Sequence, residues 1–103
     1  MHVIVWEFTV RQEHRAAFEQ AYGAEGDWAR LFRTAPGYLG TELLCDSAVP
    51  DRYLTIDRWR TRGDFDAFKQ ASGPTYEALD EAFEDLTISE VKIGTFDVPN
   101  TSR

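Results

Sequence analysis

Apolar positions along this chain alternate with a period of two in some stretches and with helical period in others. In Val3-Ile-Val-Trp-Glu-Phe-Thr-Val10, Ile4, Trp6, Phe8 and Val10 share one face. Val3 and Val5 lie on the other, interrupted by Glu7 and Thr9, and this alternation predicts a strand. Over 13–22 the period lengthens, and Ala17, Phe18, Ala21 and Tyr22 form one side of an amphipathic helix. Gly23 and Gly26 weaken helix there, and Asp27 is expected to cap a new turn. Trp28, Leu31, Phe32 and Ala35 are its apolar stripe, ended by Pro36-Gly37. Tyr38 to Cys45 and Arg52 to Trp59 read as two strands around a hairpin loop over 46–51.

The second half repeats the change of period. Thr61-Arg-Gly-Asp64 has the spacing of a capping box ahead of Phe65 and Phe68. Ser72-Gly-Pro74 restarts the helix, since Pro suits a first helical turn, and Tyr76, Leu79, Phe83 and Leu86 follow at helical spacing. A last strand is expected over 87–98, with Gly94 as a bulge, and a flexible tail over 99–103. The order is β-α-β-β-α-β within a single domain over 1–98. This is an α+β, ferredoxin-like antiparallel sheet with its helices on one face. The opposite face then carries large apolar side chains with nothing in the chain to cover them. A second copy packed sheet on sheet would cover them, so the pattern predicts a homodimer.

Composition narrows the partners. The chain has 103 residues, 43% of them hydrophobic and 14% aromatic, which suits one globular domain. A formal charge of −7 opposes a grip on phosphate backbones, so nucleic acid is not expected. Arg58, Arg60 and Arg62 come closest to a basic patch, but Asp57, Asp64 and Asp66 break it up. No apolar run approaches membrane-spanning length, so no membrane partner is expected either. The first ten residues carry Glu7 and read as a strand rather than a secretory leader. Cys45 is the only cysteine, which fits a reducing cytoplasm and a buried, inert thiol. His2, His14 and dispersed carboxylates form no metal-ligand pattern, so no metal and no cofactor are expected.

The run Tyr53-Leu-Thr-Ile-Asp-Arg-Trp59 followed by Phe65 and Phe68 resembles the antibiotic biosynthesis monooxygenase family. Val5-Trp-Glu-Phe8 before the first helix and Pro36-Gly-Tyr38 at the second strand are similar to it too. The resemblance implies a dimeric α+β barrel. Its wider superfamily contains cofactor-free monooxygenases, haem-degrading enzymes, lactone isomerases and members without known activity, so fold alone does not choose among them. The haem-degrading members use an Asn on the first strand, a Trp on the later helix and a His ligand beyond it. Those positions are occupied here by Trp6, Phe68 and either Ala78 or Asp80, so haem degradation is not implied.

What remains is aromatic. Trp6, Trp28, Phe32, Trp59 and Phe68 are the substrate-binding candidates, with Trp6 and Trp59 foremost because they fall where the family's cleft lies. Tyr38, Tyr76 and Asp80 are candidates for proton transfer, with Asp57 or Arg58 as possible helpers. For any single ring the plainer reading is core, since aromatics bury the most area. Three readings follow. One is a cofactor-independent monooxygenase of a small aromatic or quinol-like substrate, which itself supplies the electrons to dioxygen. A second is a non-catalytic dimer that binds a small ligand or is purely structural. The third is an isomerase or cyclase working by proton transfer alone.

Overall fold

The computed structural model describes residues 1–99; residues 100–103, most of the expected tail, lie outside the described part. Its elements are β1 (His2–Val10), α1 (Arg15–Tyr22), α2 (Asp27–Phe32), β2 (Tyr38–Cys45), β3 (Arg52–Trp59), α3 (Arg62–Ala71), α4 (Gly73–Phe83) and β4 (Thr87–Asp97). Short 3₁₀ turns at Gln12–His14 and Glu84–Leu86 lead into α1 and out of α4. The strands form one antiparallel sheet in the order β2-β3-β1-β4. This is the α+β, ferredoxin-like arrangement that the pattern predicts.

Local chemistry explains the boundaries. The Asp46 carboxylate accepts from the Ala48 and Val49 amides at 2.7 and 3.1 Å, folding the hairpin loop between β2 and β3. Thr61 caps α3, its hydroxyl accepting from the Asp64 amide at 3.1 Å. The reciprocal half of the capping box is absent, because the Asp64 carboxylate pairs with Arg60 instead. Asp27 does not cap α2: Gly26 holds that position and Asp27 is already the first helical residue. The register between β1 and β4 shifts where Val5 and Trp6 face Gly94 and Lys92, so a bulge falls beside the expected glycine.

Alternation along the central strands sorts the two faces. Ile4, Phe8 and Val10 of β1 and Tyr53 and Trp59 of β3 point under the helices and are buried. They join Phe18, Tyr22, Trp28, Phe32 and Phe68 in one aromatic core. On the other face β4 exposes Val91 and Phe96, each half accessible, and β2 exposes Leu44. The molecule is 21 Å through its thinnest direction, enough for helices on a sheet and no third layer. Cys45 is exposed rather than buried, because the outer end of edge strand β2 is left uncovered there.

Candidate functional site

A cavity of about 280 Å³ opens between the helices and the sheet. Its walls are aromatic: Trp6 and Phe8 from β1, Tyr22 from α1, Trp28 and Phe32 from α2, and Tyr76 from α4. Thr55 and Asp57 of β3 and Thr41 of β2 supply interior polar groups, and the exposed side chains of Lys69, Asp80 and Glu90 charge its rim. A smaller space of about 130 Å³ shares Trp6, Phe32, Asp57, Lys69 and Tyr76 with it and extends towards Phe65 and Lys92. An apolar cleft with a few convergent polar groups is the usual form of a small-molecule site.

Sheet register assembles the floor. Asp57 pairs with Ile4 on one side and with Thr41 on the other, so its side chain points under the helices between them. It is 9% exposed. The Thr41 hydroxyl donates to its carboxylate at 2.6 Å, and the Tyr38 hydroxyl lies 2.6 Å from the same Thr41 oxygen. Burial pushes the Asp57 carboxyl up to about 6, against the opposing pull of the Thr41 hydrogen bond. An acid of that strength changes protonation near neutral pH, as a general base does.

The rim groups affect one another. Burial raises Tyr76 to about 12, helped by the negative charges of Asp80, Asp57 and Glu90. Burial also raises Glu90, with Asp80 adding to the shift. Lys69 is lowered, chiefly by burial, and its ammonium sits 3.5 Å from the centre of the Tyr76 ring. Tyr76 at neutral pH is therefore a neutral phenol, able to donate a hydrogen bond into the cleft and not to act as a base.

The structure brings six of the residues singled out by sequence to the cavity: Trp6, Trp28, Phe32, Asp57, Tyr76 and Asp80. Trp59 is fully buried, packed against Phe32, Tyr38, Phe65 and Phe68 with ring centres 5.4 to 5.7 Å away. It stands behind the cavity rather than on its wall. Phe68 is likewise core on this side and faces a separate space of about 230 Å³ between α3 and the turn before β2. Tyr38 reaches the site only through Thr41. Arg58 pairs with Glu42 at 2.5 Å, and the residues opposite in register, Val3 and Gly40, place it on the outer face. Neither histidine lines the cavity; His2 is buried against Phe65 and bonded to Asp97 at 3.2 Å.

Sequence reasoning passed over Thr41, Thr55, Lys69 and Glu90. One signal was available: Asp57 alternates with Tyr53, Thr55 and Trp59, so it is a carboxylate at an inward position.

Comparison with known proteins agrees with this architecture. A family model described as antibiotic biosynthesis monooxygenase matches residues 1–86. A candidate antibiotic biosynthesis monooxygenase from Deinococcus radiodurans is 16% identical, with 100% of this chain and 97% of that chain covered and a TM-score of 0.78. SnoaB, a cofactor-independent oxygenase from Streptomyces nogalater, is 21% identical over 97% of this chain and 94% of its own, at a TM-score of 0.70. Rv0793 from Mycobacterium tuberculosis is 14% identical over 99% and 98%, at 0.71. No curated protein matches the sequence. Identities this low carry the fold, and chemistry has to come from the site.

Proposed function

Because the chain belongs to the antibiotic biosynthesis monooxygenase family, we propose that its cleft oxidises a small phenol or quinol with dioxygen and no bound cofactor, Asp57 acting as base. The observation that carries this reading is a buried carboxyl, raised to about 6, on the floor of an aromatic cavity. Asp57 takes the phenolic proton, and the resulting phenolate makes an adjacent ring methylene electron-rich. The methylene carbon gives up a proton and bonds to dioxygen, and the peroxide oxygen takes up a proton in its place, so a hydroperoxide forms with no net loss of protons. Loss of water then breaks the O–O bond and the remaining C–H bond and leaves a carbonyl. The substrate gives four electrons; one oxygen atom enters the product and the other leaves as water. Trp6, Trp28 and Phe32 hold the flat ring, Tyr76 donates to a ring oxygen, and Asp80 stays at the rim.

A suitable probe is 1,8-dihydroxyanthrone, a phenol with an oxidisable methylene. Oxygen uptake and quinone absorbance, measured in EDTA without flavin, should exceed the protein-free rate. Asp57→Asn should lower the excess by about 100-fold or more, the upper part of the range for general-base catalysis. Equal rates with and without the protein would overturn the reading. Turnover without oxygen uptake would instead favour the proton-transfer isomerase, which could use the same base.

The working unit is a pair of chains. The sheet face away from the helices presents Leu44, Val91 and Phe96 to water, and a second copy packed against it would bury them.

A further inference from the structure

We propose that Thr41 and Tyr38 form a proton exit from Asp57, so that the base discharges through the sheet edge while substrate fills the cleft. This rests on Asp57 being the base. Asp57 is 9% exposed and Thr41 likewise 9%, so a ring lying on Trp6 and Tyr76 closes the direct path from the carboxyl to water. The opposite path is already bonded. The Asp57 carboxylate, Thr41 hydroxyl and Tyr38 hydroxyl stand in line at 2.6 and 2.6 Å. With Asp57 ionised the Thr41 hydroxyl donates to it. Once Asp57 is protonated both hydroxyls turn outwards, Asp57 donating to Thr41 and Thr41 to Tyr38, so a proton leaving Asp57 moves to Thr41 as the Thr41 proton moves to Tyr38.

Tyr38 is half-buried and outside the cavity; burial raises its phenol, the Thr41 hydrogen bond opposes that, and the charges of Arg33 and Glu25 act on it more weakly. Those two form an exposed ion pair at 2.9 Å, and Tyr38 itself is only partly covered, so the outer end of the chain is the end nearer water. No covalent bond other than O–H changes, and the charge on Asp57 is restored for the next turnover. Tyr38 therefore acts at a distance from substrate, as a relay. The other titratable groups around the Asp57 side of the cleft are Lys69, Lys92, Tyr76, Asp80 and Glu90, all on the rim or across the cavity and none bonded to Thr41.

Two variants separate a relay from a structural prop. Tyr38→Phe keeps the ring against Phe32 and Trp59 and removes only the outer hydroxyl. With 1,8-dihydroxyanthrone it should lower kcat by about tenfold, leave KM within about twofold and enlarge the solvent isotope effect, while the Asp57 titration stays put. Thr41→Val should lower kcat further and also move the Asp57 titration upwards; Thr41→Ser should restore both. Unchanged kcat in Tyr38→Phe, or a change confined to KM, overturns the relay. A second measurement needs no turnover. In protein labelled with ¹³C at Asp and its cleft filled with 2-naphthol, the Asp57 carboxyl signal should average quickly between protonation states in the native chain. It should exchange slowly in Tyr38→Phe. Equal exchange overturns the relay even where oxygen uptake succeeds, and slowed exchange without oxygen uptake keeps the relay and removes the oxygenase reading.

Discussion

At the scale of single residues, the proposed chemistry turns on Asp57, and so does part of the stability. Its carboxyl titrates near 6 when folded, against an ordinary 3.8, because burial disfavours the charge more than Thr41 compensates. The folded chain thus holds a proton that the unfolded chain has already released between about pH 4 and 6. This contribution to stability is full below the unfolded value and is lost as pH rises through 6, a cost of about 3 kcal/mol at neutral pH. Asp57→Asn removes the charge and keeps an oxygen for the Thr41 hydroxyl. Its melting temperature should exceed that of the native chain above pH 7 by about 10 °C, at roughly 4 °C per kcal/mol. The two curves should meet below about pH 4. A gap independent of pH would mean that Asp57 is not an ionised, buried group at pH 7. A stabilised but inactive variant is the usual sign of a residue kept for function.

At the scale of elements, the break between α1 and α2 positions one wall of the cleft. The periodicity marks Gly23 and Gly26 only as weak helix formers, but the structure gives Gly26 a steric task. A Cβ there would come within 2.5 Å of the Ala21 carbonyl oxygen, because the chain doubles back over the end of α1. That close passage sets the start of α2 and with it Trp28 and Phe32, both buried and both on the cavity wall. Gly26→Ala should cost about 2 kcal/mol in urea unfolding and, unlike an ordinary surface change, alter the fluorescence of Trp28. Full native stability would show that α2 can shift without strain.

At the scale of the molecule, the sheet has one dry face and one waiting to be dried. The helix layer seals Ile4, Phe8, Val10 and Tyr53, whereas the outer face leaves Val91 and Phe96 half exposed on an edge strand. An exposed apolar edge of this kind is an aggregation hazard unless a partner covers it. Light scattering at micromolar concentration should report the mass of two chains. Val91→Glu, which would stand across from Glu7 in the pairing, should shift the mass towards one chain while the helix-side core stays intact. A native chain that runs as a monomer would leave the outer face unexplained.

The sequence alone was enough for the order of elements, the limits of β2 and β3, the restart at Gly73 and the bulge near Gly94, because these are matters of period, caps and breakers over a few neighbouring residues. The family resemblance also set Trp6 and Trp59 beside the cleft. It could not separate them. Both alternate inward, but α3 lays Phe65 and Phe68 over Trp59, while the cavity opens beside Trp6. Periodicity says which way a side chain points and nothing of what stands opposite. The Thr41–Asp57 bond joins residues sixteen positions apart and exists only through the register that the 46–51 loop imposes on the hairpin. The core, the cavity and the polar chain behind it were decided by tertiary packing, which alone determines which inward positions are covered and which are left open.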